Sequence, residues 1–386
     1  MYCKRKVLKA IALSGVQDVN RCQSLQHFLY LACPFPISAL QQISRHKWNS
    51  GVINKEITKI SNPHSLVKNE LTEINTQIIN ELSTPLQPLK DITQYYFDNK
   101  GKLFRPTVIL LMAQVSNTHL LQDLQKRCVS SCQKTVAQVA EMIHTASLVH
   151  DDIVDMAESR RGKASTHRVW GEKEAVLAGN YITSRATTAL ARLGNVEVIH
   201  LLAKVLDDLV RGEFMQMGSR ENPDERFAHY LEKTFKKTAS LLAHTCKAVA
   251  LLANATKQLQ DAAFQYGKNL GMAFQLVDDI LDFDSTEEAL GKPAAADLRL
   301  GLATGPVLFA SEEFPEITAF IMRRFQCEND VEETYRLVRQ STGIERTKSL
   351  ARQHSNEAKR QLSKFCPSPE RDALVQMTEN LLKRQR

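Results

Sequence analysis

The amino-acid sequence predicts an all-α fold arranged as a single large helical bundle, and three observations support it. From about Leu66 onward, apolar residues recur at three- and four-residue spacing, as in helices that bury one face. Few segments alternate β-branched and polar residues as strands do. Glycine, proline and asparagine collect in breaks at residues 99–101, 161–163, 218–224 and 284–305.

The periodic segments predict helices in chain order. They cover residues 66–81, 106–115, 127–152, 172–193, 196–217, 226–253, 258–283, 306–310, 332–341, 344–362 and 369–383. A chain of 386 residues, of which 43% are hydrophobic and 24% charged, can bury a substantial core. We therefore expect one all-α domain over residues 61–386.

The first 60 residues have a different composition. Most of the net charge of +7 lies here, because Lys and Arg are frequent in this segment and Asp18 is its one acid before residue 51. A basic, acid-poor segment with Ser and Gln is typical of a transit peptide for a mitochondrion or plastid. An ordinary disordered leader is the alternative.

The remaining chain is nearly neutral, which disfavours a nucleic-acid partner. No run reaches the roughly 18 uncharged apolar residues that a membrane-spanning helix needs. We expect at most peripheral contact with a membrane.

Two acidic clusters share the spacing Asp-Asp-x-x-Asp and end apolar helical segments. Their members are Asp151, Asp152 and Asp155, and Asp278, Asp279 and Asp282. Residues four apart lie on one helix face, so the carboxylates of each cluster are close and repel one another unless a cation is present. Mg²⁺ suits such a site, since it binds one or two carboxylates together with water and phosphate oxygens. One cluster alone would as readily be a solvated helix face, but two buried acidic helix ends would be costly without a ligand.

Basic residues complete the pattern. Lys102 and Arg105 lie at a predicted helix start, where the free N–H groups also favour an anion. Arg160 and Arg161 follow the first acidic cluster. Arginine suits bidentate binding of phosphate and lysine adds a point charge. The two acidic and two basic groups together predict two diphosphates, one bound through metal and one bound directly.

These motifs resemble those of the all-trans-polyprenyl diphosphate synthases, in particular the catalytic subunit of the mitochondrial decaprenyl and solanesyl synthases that make the ubiquinone side chain. The resemblance runs from about Tyr95 to the carboxyl terminus. Its strongest blocks are residues 101–106, 144–162, 170–179, 212–219, 236–238, 274–283, 291–293 and 300–306. It implies an isoprenoid-synthase bundle with a central active-site cavity, a location in the mitochondrial matrix and two or three Mg²⁺ ions bound with the allylic diphosphate.

The resemblance also implies residue roles. Isopentenyl diphosphate would be bound by Lys102, Arg105, His144 and Arg161. The allylic diphosphate, such as farnesyl diphosphate, would be held through Mg²⁺ by Asp151, Asp155 and Asp278, and neutralised by Arg160, Lys237 and Lys292. Thr238 and Gln275 would line the centre where the allylic cation forms. Asp151, Asp155, Lys237 and Asp278 are the expected catalytic residues.

Product length is expected to depend on Ala146 and Ser147, one turn before Asp151. In short-chain members of the resembled family a bulky side chain closes the hydrocarbon tunnel at this level. Two small residues therefore predict a long product, although Met142 and Ile143 lie farther along and could cap the tunnel.

Two positions depart from the family pattern. Asn180 stands where an aspartate is usual, and Leu302 stands where a lysine is usual, so one diphosphate contact is expected to be missing there. Arg299 is a candidate substitute for that lysine.

Other readings remain open. The chain could be a non-catalytic or regulatory subunit of a prenyltransferase complex, although its intact acidic clusters argue against that. A shorter-chain prenyl diphosphate synthase is another alternative. A terpene cyclase would not need the second basic site, and an integral membrane prenyltransferase would need spanning helices. The resemblance further implies a hetero-oligomer with a homologous second subunit.

Overall fold

A computed structural model describes residues 62–97, 103–120, 128–217, 223–284 and 295–384. These residues are almost entirely helical, which confirms the predicted all-α fold. A short 3₁₀ turn at Pro63–Val67 precedes the first helix. The helices are α1 Lys68–Glu81, α2 Gln87–Gln94, α3 Phe104–Leu120, α4 Ser131–Val154, α5 Thr166–Trp170, α6 Glu172–Ala191, α7 Val196–Met217, α8 Pro223–Thr234, α9 Ser240–Leu252, α10 Lys257–Asp284, α11 Ala296–Arg299, α12 Gly305–Glu313, α13 Glu316–Met322, α14 Asp330–Gln340, α15 Gly343–Leu362 and α16 Pro369–Leu382.

Differences from the predicted helices are local. The segment predicted as one helix over 226–253 is divided by a π-helical turn at Phe235–Ala239. Strands β1 Ser159–Arg160 and β2 Lys163–Ala164 form a small antiparallel hairpin that the sequence did not indicate. The short helices α2, α5, α11 and α13 were also missed, because each is too short to show a helical period. The predicted leader, residues 1–60, lies outside the described residues.

The two helices that carry the acidic clusters are buried in the bundle. α4 begins with a capping box, in which the Ser130 side chain accepts from the Gln133 backbone and the Gln133 side chain accepts from the Ser130 backbone. It packs against α6, α3 and α9, and α10 packs against α9 and α15. Because each helix is held on several sides, the carboxyl end of each has a defined position.

Close packing of α10 against α9 and the π-helical turn depends on two glycines. A Cβ atom at Gly271 would lie 2.5 Å from the Cα atom of Ala239, and one at Gly267 would collide with the Leu242 carbonyl group. Both obstacles are backbone atoms, which cannot move aside as a side-chain end can. The glycines therefore set how near α10 lies to the π-helical turn.

Within the described residues, none of the helices combines the length and the apolar character required to cross a membrane.

We predict that Gly271→Ala lowers the free energy of unfolding by about 1 to 3 kcal/mol, the usual cost of overpacking a core. Urea denaturation followed by circular dichroism would measure the change. Ser184→Ala, at an exposed position on α6, should change the free energy by less than about 0.5 kcal/mol. An equal effect of the two variants would contradict the packing argument.

Candidate active site

The first acidic cluster lies at the carboxyl end of α4, and its three carboxylates have different surroundings. Asp152 is fully buried: Arg160 donates to its Oδ1 atom from Nε at 2.7 Å, and the Tyr96 hydroxyl donates to Oδ2 at 3.4 Å. Asp151 keeps 17% of its side chain exposed, and Asp155 is partly buried at the helix carboxyl cap. Asp152 therefore anchors the helix end, while Asp151 and Asp155 remain accessible.

The second cluster, at the carboxyl end of α10, repeats this division. Asp279 is 1% exposed and accepts hydrogen bonds from the Tyr230 hydroxyl and, at 2.9 Å, from Nε2 of Gln275. The Thr238 hydroxyl donates to Oε1 of Gln275 at 2.8 Å. The two residues predicted at the cation-forming centre thus contact each other, and Gln275 connects them to the buried aspartate.

The other two carboxylates of this cluster also differ. Asp282 accepts from the backbone N–H groups of Ala296 and Asp297, each at 3.1 Å, and so holds the start of α11. Asp278 keeps 35% of its side chain exposed and forms an ion pair with Arg384 at 2.8 Å. Asp278 is therefore the accessible member of the second cluster.

Burial raises the pKa values of the accessible carboxylates. Burial is the main cause that raises the pKa of Asp151 to about 7. The positive charge of Lys237 lowers this pKa, and the negative charge of Glu213 raises it further. Burial is also the main cause that raises the pKa of Asp278 to about 6, with Arg384 opposing it, and the pKa of Asp155 is raised chiefly by burial. These groups lack enough positive charge from the protein alone, as expected of a site that takes up a cation.

The chemistry of the donor set fits Mg²⁺. Within the described parts of the chain, no three His, Cys, Asp or Glu side chains already form a metal-binding group. Mg²⁺ binds one or two carboxylates and takes its other ligands from water and phosphate oxygens. Asp151, Asp155 and Asp278 are the accessible oxygen donors, whereas Asp152, Asp279 and Asp282 have protein partners, so ligation by those three stays a prediction.

The π-helical turn brings Lys237 to the first cluster. Nζ of Lys237 lies 2.6 Å from Oε1 of Glu213, 3.1 Å from Oε1 of Gln216 and 4.0 Å from Oδ2 of Asp151. A π-helical turn widens the helix locally and is frequent at functional sites. The sequence reasoning identified Lys237 but not its partner Glu213, which lies inside the 212–219 block and whose role depends on packing between helices.

A second, basic group gathers on α3, α4 and the hairpin. Nη1 of Arg105 lies 2.8 Å from Nε2 of His144, and Nη2 of Arg161 lies 3.8 Å from Oε1 of Glu141. Burial, then Arg105 and Arg161, hold the pKa of His144 well below its usual value, so the ring is neutral. Nε of Arg105 is buried with no hydrogen-bond partner in the described structure. The predicted residues Arg105, His144 and Arg161 therefore form one group, and Glu141 is a member that the sequence reasoning missed.

The hairpin turn separates the two neighbouring arginines. Arg161 and Gly162 both have positive φ, 54° and 76°, as in a type I′ turn that joins two strands. For Arg161 this backbone conformation is uncommon and unfavourable. The turn allows Arg160 to bind Asp152 while Arg161 lies near Glu141.

The remaining predicted residues have these positions. Ala146 is buried, and the hydroxyl of the partly buried Ser147 donates to the His144 carbonyl oxygen at 2.9 Å. Asn180 is exposed on α6. The predicted substrate-binding residues Lys102 and Lys292 lie outside the described residues.

The structure is a helical bundle with a region of accessible carboxylates and a separate basic region. Residues 86–338 match the family model for polyprenyl synthetase. The chain is 53% identical over 377 residues to the human "All trans-polyprenyl-diphosphate synthase PDSS1", covering 97% of this chain and 88% of that protein.

Two further relatives carry informative names. The chain is 38% identical to "Decaprenyl-diphosphate synthase subunit 1" of Schizosaccharomyces pombe, covering 89% of this chain and 97% of that protein. It is 40% identical to "Solanesyl-diphosphate synthase 1, mitochondrial" of Oryza sativa, and the match covers 83% of this chain and 78% of that protein.

Among solved structures, a polyprenyl synthase from Caulobacter crescentus complexed with calcium and isoprenyl diphosphate superposes with a TM-score of 0.75. It is 29% identical, and the match covers 84% of this chain and 97% of that one.

The chain belongs to the polyprenyl synthetase family. It is a trans-prenyltransferase, and the prediction of a long-chain all-trans-polyprenyl diphosphate synthase is confirmed. The predicted mitochondrial location is confirmed as well. Members of the family use a divalent metal with diphosphate substrates, namely isopentenyl diphosphate and an allylic diphosphate.

We predict that Asp151→Asn stabilises the metal-free protein at pH 8 more than at pH 5. A carboxylate whose pKa rises from 3.8 to about 7 on folding gives stability that is fully present below pH 4 and is lost as the pH rises through 7. The variant should therefore gain roughly 2 kcal/mol at pH 8, given 1.36 kcal/mol per pKa unit and partial solvent screening. Lys237 would keep Glu213 as its partner.

Urea denaturation in the presence of a chelator would measure this difference. Asp261→Asn, which alters an exposed carboxylate paired with Lys247, is the matched control for unspecific effects of replacing an aspartate by asparagine. The argument would fail if Asp151→Asn were equally stabilising, or destabilising, at both pH values.

Proposed function

We propose that this chain is the catalytic subunit of a mitochondrial enzyme that repeatedly condenses isopentenyl diphosphate onto an allylic diphosphate, such as farnesyl diphosphate. The product would be the precursor of the ubiquinone side chain. The observation that carries the proposal is the presence, in one bundle, of two distinct groups of side chains that suit diphosphates. One consists of accessible carboxylates with Lys237, and the other consists of Arg105, His144 and Arg161 without accessible carboxylates.

Asp151, Asp155 and Asp278 would hold two or three Mg²⁺ ions. When bound, these ions would supply positive charge that stabilises the leaving diphosphate of the allylic substrate. Lys237 would add a fixed positive charge beside Asp151. Arg160, although it binds Asp152, still has 28% of its side chain exposed and so can also contact a diphosphate.

The basic group would bind isopentenyl diphosphate directly. Arginine can only donate, so the neutral His144 ring must accept at Nε2 and carry its proton on Nδ1. Glu141 is 4% exposed, and its carboxylate lies near Arg161 and Arg105. It would offset part of their positive charge. The unpartnered Nε of Arg105 is a donor for an incoming phosphate oxygen.

Condensation needs the two substrates close together and shielded from water. The Thr238 hydroxyl and the Gln275 amide would place polar oxygen atoms near the developing allylic cation. The final proton is proposed to pass to the released diphosphate rather than to a protein base. Holding that diphosphate beside Lys237 keeps it available as the base.

A homologous second subunit is part of the proposal. Several large apolar side chains on α6 and α7 are exposed, including Leu177 at 55%, Val210 at 58% and Phe214 at 68%. Such side chains suit an interface with another helical subunit. The relative from Schizosaccharomyces pombe is named as subunit 1 of its enzyme, which also supports a partner.

We predict that the full chain, incubated with Mg²⁺, farnesyl diphosphate and labelled isopentenyl diphosphate, makes long polyprenyl diphosphates. Activity should be higher with the homologous partner. Asp151→Ala should reduce turnover at least about a hundredfold, because the charge that stabilises the leaving group is lost. Labelled products separated by chromatography would measure both rate and length.

The outcomes separate the alternatives. No elongation with or without the partner would reject the catalytic proposal and favour the regulatory-subunit alternative. Products of three or four isoprene units would favour a shorter-chain synthase. Asp261→Ala, at an exposed helix position, is the control for unspecific effects of removing an aspartate.

We predict that Ala146→Phe shortens the product while the first condensation retains most of its rate. A ring at this buried position would occupy space one turn before Asp151, where the growing chain is proposed to run. Ser147→Phe should act in the same direction. Ser131→Phe, at the exposed start of α4, should leave the product distribution unchanged. Unaltered product length in both test variants, with normal thermal stability, would refute the proposed path.

A further inference from the structure

A cavity lies behind the second acidic cluster, between α7, α8 and the segment from Gly301 to Leu308. Its walls include Arg226, Lys233 and Arg324, and its lining residues in the described part of the chain include no carboxylate. Arg226 and Arg324 have protein contacts of their own. The cavity is therefore a basic one, and Lys233 is the cation whose surroundings need explanation.

Two residues that line the cavity also contact active-site side chains. Gln216 lines it and also accepts the hydrogen bond from Nζ of Lys237. Tyr230 lines it and donates its hydroxyl hydrogen bond to Asp279. The cavity therefore adjoins the active site at Gln216 and Tyr230.

Lys233 has few partners of its own. Its ammonium lies 5.7 Å from the centre of the Tyr230 ring, and no hydrogen bond or ion pair joins it to any described residue. An ammonium has three donors, and its removal from water is costly unless an anion compensates. Burial lowers the pKa of Lys233, an effect that Asp279 and Asp297 oppose.

The neighbouring carboxylates do not satisfy this lysine. Asp279 is already held by Tyr230 and Gln275. Among the described residues, no ion pair joins Lys233 to Asp279 or Asp297. An anion bound in the cavity would supply the charge that these described neighbours do not.

Leu302 lies in the wall of the same cavity. It is the position at which the family pattern described in the sequence analysis has a lysine. Arg299, the substitute considered from the sequence, is about half exposed and lies 3.6 Å from Glu332 on the surface. The cavity wall thus has no cation at Leu302 but has one at Lys233.

We infer that Lys233 is a substrate-binding residue that contacts the allylic diphosphate and replaces the cation absent at position 302. The inference rests on the proposed function, since it assumes that the diphosphate beside Lys237 is that of the allylic substrate. The Lys233 ammonium binds non-bridging phosphate oxygens from the side of the cavity. Its positive charge attracts the diphosphate directly, whereas the negative Asp151 and Asp155 would bind it through metal ions.

The test compares Lys233→Gln, Leu302→Lys and the double variant. The probes are farnesyl thiodiphosphate, an unreactive allylic diphosphate, and isopentenyl diphosphate, each titrated by calorimetry with Mg²⁺ present. Lys233→Gln should weaken binding of the thiodiphosphate about tenfold and raise the KM for farnesyl diphosphate similarly, as expected for loss of one charged hydrogen bond. Binding of isopentenyl diphosphate should change less than about twofold, which is under 0.5 kcal/mol.

The double variant supplies the decisive comparison, because Leu302→Lys should restore most of the affinity that Lys233→Gln removes. Lys233→Arg, which keeps the charge, should retain it. Lys247→Gln, at a surface lysine paired with Asp261, is the matched control and should have no effect. Thermal denaturation would show whether each variant folds.

Several results would overturn the inference: unchanged thiodiphosphate affinity in Lys233→Gln, equal loss for both substrates, or no restoration in the double variant. If Lys233→Gln does not fold, the Leu302→Lys variant alone tests the inference. A second cation in the cavity should then tighten binding of the thiodiphosphate. Unchanged affinity would contradict the inference. A wild-type chain that fails to elongate would reject the proposed function instead. A wild-type chain that elongates while Lys233→Gln binds normally would reject only the role of Lys233.

Discussion

The arrangement of the site depends on how the protein stabilises two buried carboxylates, Asp152 and Asp279. Each is at most 1% exposed, and each receives a hydrogen bond from a side chain on another element, Arg160 for Asp152 and Tyr230 for Asp279. A buried carboxylate without such partners would be costly, so these contacts hold the ends of α4 and α10 in place. Because each anchor is the middle member of its cluster, its neighbours Asp151, Asp155 and Asp278 stay accessible for ligands.

Ion pairs between the protein's own side chains offset part of the charge in the site. Lys237 lies with Glu213 and Asp151, Arg384 with Asp278, and Arg161 with Glu141. These pairs are partial, since burial still raises the pKa values of Asp151 and Asp278 to about 7 and 6. In the proposed function, metal ions and diphosphates would complete a charge balance that folding leaves incomplete, the usual compromise between stability and activity.

The two acidic clusters could be predicted because they depend on spacing along helices. The family resemblance implied that Arg105 and His144 belong to one site and that Thr238 and Gln275 belong to another, and the structure brings the members of each pair into contact. Residues such as Glu141, Glu213 and Lys233 were missed, because each has an ordinary local sequence. Their importance comes from partners on other helices, which a helical period does not reveal.

The amino-acid sequence alone was enough to predict the all-α fold and the long helices, and it indicated which residues are proposed to bind metal and diphosphate. It could do so because burial of one helix face imposes a 3.6-residue period and because diphosphate chemistry requires paired acids and bases. Only the tertiary structure decided which aspartates anchor and which remain accessible. That division depends on what lies across from each side chain, namely Arg160, Tyr230 and the start of α11, and these contacts join segments far apart in the chain.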